Sequence, residues 1–259
     1  GNPLNHRPRK RFGQNFLTDT RIIMQIVAGI APGKDQHLVE IGPGKGAITR
    51  ELLPLCGRLD AIELDRDLVP LLQKTLQDNK FNLHSADALK FDFCQLQQDD
   101  KLRIVGNLPY NISTPLIFHL LENADCIADM HFMLQKEVVD RLAALPNSKA
   151  YSKLSVMTQA QCEVAKLFEI PPEAFDPAPK VQSAFVRLVP RSDLPVNKQE
   201  WANFETLVTA AFAHRRKTLR NNLKKLVDIE SAEKEIDLAR RAESLNIDEF
   251  VKLSRFLLT

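Results

Sequence analysis

The chain has 259 residues, 44% of them apolar and 26% charged, which fits a globular protein with a sizeable core and a length suited to one large domain or two smaller ones. No apolar run approaches the eighteen residues of a membrane span, and the basic segment from Gly1 to Arg11 lacks the apolar stretch of a secretory signal. The net charge of +2 is small, but its distribution is uneven: Arg7, Arg9, Lys10 and Arg11 crowd one end, and Arg215, Arg216, Lys217, Arg220, Lys224 and Lys225 crowd another segment with no acid between them. Clusters of this kind are the electrostatic footprint of a nucleic-acid backbone, although a solvated helix face has the same composition.

In chain order, Leu38–Ile41 reads as a strand, followed by a glycine-rich turn and a helical stretch from Ala47 to Leu55. Leu59–Glu63 reads as a second strand and Leu68–Leu76 as its helix. Further strands are expected at Phe81–His84, Leu102–Val105 and Met130–Leu134, with helical patterns at Thr114–Leu121 and Lys136–Leu145. Strands alternating with helices predict a parallel sheet covered on both faces. Glu163–Ile170 and Ala184–Val189 then form an expected antiparallel pair at one sheet edge. A proline-rich loop, Pro171–Lys180, joins them and is expected to present Phe175. Pro190–Gln199 reads as a linker, after which the pattern is purely helical: Phe204, Leu207, Val208, Ala211 and Phe212 share one face, and Leu219, Leu223 and Leu226 continue the stripe. The expected division is therefore 1–190 for an α/β domain with a basic arm and 191–259 for a small all-helical domain. Cys56, Cys94, Cys126 and Cys162 are scattered without a CxxC pair. They read as reduced, mostly buried thiols rather than as a metal site or a disulfide frame, and no metal is expected.

Two places carry chemistry. Gly42-Pro43-Gly44-Lys45-Gly46-Ala47 lies where the first strand meets its helix, where glycines allow a sharp turn and close approach of a ligand to the backbone. Gly42-x-Gly44-x-x-Ala47 satisfies the relaxed dinucleotide fingerprint, and Glu63, about twenty residues on, stands where an acid binds ribose hydroxyls. A nicotinamide oxidoreductase thus stays open on this motif alone. S-adenosylmethionine is favoured because Gly46 falls one position early for the dinucleotide pattern, Pro43 removes an N–H, and Asp87-Ala88 follows the third strand, where an acid can bond an adenine amine. The second place is Asn107-Leu108-Pro109-Tyr110, at the end of the fourth strand. Asn supplies an acceptor and donors, Pro stiffens the turn, and Tyr offers a flat face, a set suited to a planar ring with an exocyclic amine such as adenine.

Several segments together resemble the KsgA family of bacterial small-subunit ribosomal RNA adenine dimethyltransferases. They are Gln14–Leu17, Glu40–Gly46, Glu63-Leu64-Asp65, Asp87-Ala88, Asn107–Tyr110, Pro171–Ala184 and Ala211–Asn221, in the family's order from about Lys10 to the last helix. The resemblance implies a Rossmann-like class I S-adenosylmethionine methyltransferase sheet with an antiparallel edge hairpin, followed by a small helical domain. It implies that Gln14, Asn15 and Leu17 close over the methionine end of the cofactor, and that Gly42, Gly44 and Gly46 approach it with backbone. Glu63 would bind its ribose, Asp87 and Ala88 would meet its adenine, and Asn107 would line both cofactor and target. Asn107, Leu108 and Pro109 would serve the target amine, with Tyr110 and Phe175 as stacking platforms. RNA contacts would fall to Arg7, Arg9, Lys10, Arg11, Arg215, Arg216, Lys217 and Arg220. The implied activity is N6,N6-dimethylation of two adjacent adenines near the 3′ end of 16S RNA, within a small-subunit assembly intermediate in the cytoplasm, by a monomer. The antibiotic-resistance methyltransferases of large-subunit RNA share the catalytic domain and form the alternative. A non-catalytic RNA-binding factor on the same scaffold is a further one, against which the intact acceptor and cofactor residues count.

Overall fold

A computed structural model describes residues 14–259, so the basic arm with Arg7, Arg9, Lys10 and Arg11 lies outside the described residues. The chain forms two compact units: residues 1–139 with 165–190, and residues 140–164 with 191–259. The sequence pattern alone assigns 140–164 to the first unit. The structure places it in the second because it is fastened to the C-terminal helical region: the buried Tyr151 donates its hydroxyl to the Leu245 carbonyl (2.7 Å), and the Asn147 N–H donates to the Glu243 carbonyl (2.7 Å).

In the first unit the chain starts with a short strand, β1 (Phe16–Leu17), and the helix α1 (Thr20–Ile30). Asp19 caps α1 by accepting from the Arg21 and Ile22 amides, and Ile23, Ile26, Val27 and Ile30 form its buried stripe. The strands β2 (His37–Ile41), β3 (Arg58–Glu63), β4 (Phe81–Ser85), β5 (Leu102–Asn107) and β6 (Ile127–Gln135) follow. Between them lie the short α2 (Thr49–Leu52), then α3 (Leu68–Thr75) and α4 (Ser113–Leu121). After β6 come α5 (Lys136–Leu142), within which the chain leaves this unit, α6 (Lys153–Gln159) of the second unit, and β7 (Cys162–Ile170), within which it returns. The unit closes with β8 (Phe175–Asp176) and β9 (Ser183–Pro190).

The seven-stranded sheet has the order β4-β3-β2-β5-β6-β9-β7. β2, β3, β4, β5 and β6 pair in parallel, and β9 runs antiparallel to β6 with Phe132 opposite Val186. Central strands buried on both faces are expected to be apolar throughout, and all five residues of β2 are buried. The chain winds outward from β2 on both sides, through β3 to β4 and, after crossing back, through β5 to β6. The crevice beyond the carboxyl ends of β2 and β5 is therefore the topological switch point, where ligands bind in such sheets.

Two expectations differ from the structure in this unit. The Pro171–Lys180 segment is not a loop that presents Phe175: a 3-10 turn at Pro172–Ala174 leads into β8, which pairs antiparallel with β1, Leu17 opposite Phe175. Phe175 is 5% exposed and sits in the main core cluster with Phe16, Leu17 and Phe185, so its ring has no open face for a base. Cys94 and Cys126 are not separate thiols but form a disulfide, with Cα atoms 5.6 Å apart. Their segments run into β5 and β6, neighbouring parallel strands with Leu102 opposite Ile127, so residues distant in sequence meet at one sheet end. Cys56 and Cys162 remain buried free thiols.

In the second unit, α7 (Trp201–Ala211), α8 (Leu219–Leu223), α9 (Ile229–Ala232) and α10 (Ile247–Ser254) enclose a core that includes Phe204, Leu207, Leu223 and Phe250. Side-chain caps mark the starts: Thr218 for α8, Asp228 for α9, and a reciprocal Asn246–Glu249 box for α10. The basic stretch from Ala213 to Thr218 is a turn between α7 and α8, not a helix face. Residues 235–241 are likewise non-helical.

Candidate active site

The turn after β2 is made by glycines where only glycine is comfortable. Gly42, Gly44 and Gly46 have φ of 66°, 61° and 84°. At Gly44 a β-carbon would also stand 2.9 Å from Cδ1 of Phe16, so the loop and β1 are in close contact. Glu63, at the end of β3, is 4% exposed and holds this loop from below: its Oε1 accepts from the Gly44 N–H (3.1 Å) and its Oε2 from the Asp65 N–H (3.0 Å). Burial pushes Glu63 up to about 7, against the lowering effect of those two amides, and the neighbouring Asp65 raises it further.

A second carboxylate lies deeper. Glu40, the fourth residue of β2, is buried and accepts from the Thr49 hydroxyl at 2.5 Å, which ties the strand to the start of α2 across the glycine turn. Burial also pushes Glu40 up to about 7. The Thr49 bond opposes this shift and the Glu63 charge adds to it. The Glu63 charge thus adds to the effect of burial on Glu40, as a nearby like charge does.

At the neighbouring strand end, Asn107 closes β5. Its Nδ2 donates to the Asn15 carbonyl (2.9 Å), which fixes the amide with nitrogen toward the segment before β1. Leu108 is buried and its N–H donates to the Met133 carbonyl (3.2 Å), while the Ile112 N–H and Ser113 hydroxyl close the next turn onto the Pro109 and Tyr110 carbonyls. This leaves Tyr110 71% exposed at the crest of the turn. Of the other expected residues, Leu17 is buried in β1, and Gln14 donates to the buried Asp65 (3.2 Å) while its own Oε1 is buried with no partner among the described residues. Asp87 is half-buried and accepts from the Leu89 N–H (3.0 Å), with Ala88 buried beside it.

Gln14, Asn15, Gly42, Gly44, Glu63 and Asn107 are therefore linked by direct contacts or one intermediary around the β2–β5 crevice. Leu17 and Phe175 support that group from the core. Three contributors had no role in the sequence reading. Phe16 sets the depth of the glycine loop, Asp65 receives Gln14 and caps the next turn at the Asp67 N–H, and Glu40 pins the turn through Thr49. Asp65 and Glu40 lie inside the quoted motifs, so buried acids flanking a glycine turn were the available signal.

The residues suit S-adenosylmethionine on structural grounds. A positive-φ glycine cradle, a buried carboxylate at the end of β3 and an unpartnered buried amide oxygen at Gln14 suit its polar groups. Among the described residues no group of His, Cys, Asp or Glu is placed to hold a metal ion.

The model for ribosomal RNA adenine dimethylases matches residues 5–258. The chain belongs to the ribosomal RNA adenine dimethylase family. The ribosomal RNA small subunit methyltransferase A of Saccharophagus degradans is 58% identical over 257 residues, which cover 97% of this chain and 95% of that one. The protein of the same name from Pseudomonas aeruginosa is 54% identical over 255 residues, 97% and 95% of the two chains. Among solved structures, a dimethyladenosine transferase from Plasmodium falciparum superposes with a TM-score of 0.82 at 24% identity, over 93% of this chain and 99% of that one. The 23S rRNA methyltransferase ErmE gives 0.74 at 23%, over 94% and 99%. At such identities the likeness establishes the shared methyltransferase fold, in agreement with the observed strand order. The dinucleotide alternative for the glycine turn falls with the family assignment.

The second unit presents its cations unequally. Arg216 and Lys217 are exposed, Arg215 is engaged with main-chain carbonyls, and Arg220 pairs with Glu233.

Proposed function

We infer that this dimethylase family member transfers methyl groups from S-adenosylmethionine to the N6 amines of two adjacent adenines in the 3′-terminal hairpin of 16S RNA. The observation that carries the chemistry is the Asn107 amide. With its nitrogen committed to the Asn15 carbonyl, the oxygen is the end left to accept from an amine, at the mouth of the crevice that holds the glycine cradle.

An adenine amine is a weak nucleophile because its lone pair is delocalised into the ring. Acceptance of its hydrogens by the Asn107 oxygen and by a carbonyl of the following turn favours a more tetrahedral nitrogen with its lone pair free. The bound cofactor supplies an electrophilic sulfonium methyl and needs no activation by the protein. The residues therefore work by alignment and by placing oxygens where positive charge develops on nitrogen. Tyr110 presents an exposed ring on which the target adenine stacks, and stacking tolerates the first methyl group during the second transfer. Glu63, Asp87 and the backbone of Gly42, Gly44 and Gly46 hold the cofactor, with Gln14, Asn15 and Leu17 over its methionine end.

The proposed division of labour gives methyl transfer to the first unit and RNA recognition to the helical one, with Arg216 and Lys217 as phosphate contacts. The basic arm with Arg7, Arg9, Lys10 and Arg11 is proposed to supply further phosphate contacts. The proposed partner is a small-subunit assembly intermediate, met in the cytoplasm by a monomer. Among the described residues no helix is long and apolar enough to cross a membrane. Tritiated-methyl transfer to undermethylated small subunits, with mapping of the modified bases, tests the reading. Label confined to two neighbouring adenines of 16S RNA is expected; no label on those adenines, or label taken up instead by large subunits assayed in parallel, would refute it.

A further inference from the structure

We propose that Arg215 is a positioning residue: it locks the turn at residues 147–151, and the charge facing RNA phosphate is carried by Arg216, Lys217 and Lys149. This rests on the RNA reading of the helical unit given above. The Arg215 guanidinium donates to the carbonyls of Tyr151 (2.8 Å), Lys149 (2.9 Å) and Ser148 (3.4 Å), and it pairs with Glu243 at 3.3 Å. A planar fork with five donors suits several converging carbonyls, whereas an ammonium is a point donor on a flexible stem. These four partners commit both Nη2 hydrogens and one Nη1 hydrogen to the turn, while the side chain keeps 40% of its surface exposed.

The turn is fastened at its other points too. Asn147 has a φ of 70° and gives its N–H to the Glu243 carbonyl, the Ser148 hydroxyl donates to the Leu145 carbonyl (2.8 Å), and the Tyr151 ring is 1% exposed. A turn this constrained holds a surface ready before anything binds. That surface includes the exposed Lys149, and Leu145, two residues ahead of the turn, is 70% exposed. Arg216 and Lys217 leave the clamp in the next two positions of the chain and are exposed. The cluster that reads as uniform in the sequence thus contains one fork clamped to the carbonyls of a turn beside two exposed cations, Arg216 and Lys217, to which the exposed Lys149 of that turn adds a third. Their chemistry fits the backbone of a folded RNA, where each neutralised phosphate adds to the salt dependence of binding.

The test measures binding of the full chain to undermethylated small subunits across a salt series, together with amide hydrogen exchange of the free protein. Arg216→Ala, Lys217→Ala and Lys149→Ala are each expected to reduce the slope of log K against log salt by about 0.7–0.9, the value of one lost phosphate contact. Arg215→Ala is expected to keep the wild-type slope, weaken binding about tenfold at every salt concentration through the cost of ordering a freed turn, and speed exchange at the Asn147 and Tyr151 amides. Because that variant removes internal bonds, the charge-retaining Arg215→Lys serves as a second probe, and it is expected to rescue neither binding nor exchange protection. A slope loss in Arg215→Ala equal to that in Arg216→Ala, or restored binding in Arg215→Lys, would overturn the positioning role. Unchanged slopes in the other three variants together would instead overturn the RNA reading beneath it.

Discussion

Replacing Asn107 by Ala removes two separate interactions. The first is the 2.9 Å bond from Nδ2 to the Asn15 carbonyl, a neutral hydrogen bond of about 1 kcal/mol that fixes the segment ahead of β1. The second is the side-chain oxygen offered to the target amine, whose value is realised as charge develops on nitrogen. Removal of one preorganised polar group of that kind costs about 10²–10³ in rate, or roughly 2.7–4 kcal/mol. The second loss exceeds the first, so the expected phenotype is a fall of about 10²-fold or more in single-turnover methyl transfer. S-adenosylhomocysteine affinity should fall only about fivefold, the equivalent of the lost tether. Quench-flow methyl incorporation into undermethylated small subunits gives the first number and titration calorimetry the second. A rate within about threefold of wild type would refute the assignment, as would a loss of affinity as large as the loss of rate.

Two other perturbations follow from the same crevice. Gly44→Ala places a side chain at φ 61° and a β-carbon 2.9 Å from the Phe16 ring, so strain of about 1–2 kcal/mol plus displacement of β1 should weaken S-adenosylhomocysteine binding at least tenfold by calorimetry. Unaltered affinity would show that the loop does not approach the cofactor. The buried acids set a pH dependence: Glu40 and Glu63 rise from an ordinary value of 4.5 to about 7 in the folded chain, so the native state binds more protons than the unfolded one between those limits. Their stabilising contribution is complete below the unfolded value and is lost as pH rises through about 7. The melting temperature of the ligand-free protein should therefore drop more steeply from pH 5 to pH 8 in the wild type than in Glu40→Gln, and parallel curves would count against the assignment.

Much of this fold can be read from local pattern. Every long strand coincides with a run expected at its position, most plainly the central β2, β3, β5 and β6, because central strands of a parallel sheet are buried on both faces and cannot hide among polar residues. The glycine turn and the Asn107–Tyr110 crest were legible for a related reason: positive φ and a strand-ending proline leave few residue choices. Helix α1 is absent from the sequence-based assignment although its Ile23, Ile26, Val27 and Ile30 stripe spans full helical turns. Other features depend on contacts that no window contains. The β1–β8 ribbon joins two pairs of residues about 159 positions apart, the Cys94–Cys126 bridge needs the β5–β6 register, and the basic segment changes character because Arg215 finds carbonyls of a turn more than sixty residues earlier.

The position of Phe175 alters how the acceptor site is held together. The segment that supplies the Asn15 carbonyl to Asn107 and the Phe16 ring to the glycine loop is too short to stand alone. It is carried by pairing with β8, Leu17 against Phe175, and by the Thr18 and Asp19 amides on the Ala174 carbonyl. Burial of a phenylalanine in the core contributes about 1.5–3 kcal/mol, more than the few hydrogen bonds of a two-residue ribbon secure in water. Phe175 therefore anchors the ribbon, the ribbon places Asn15, and Asn15 orients Asn107. In this arrangement the aromatic residue of the proline-rich segment reaches the proposed amine site through two intermediaries, while Tyr110, 71% exposed, is the ring proposed to meet the base.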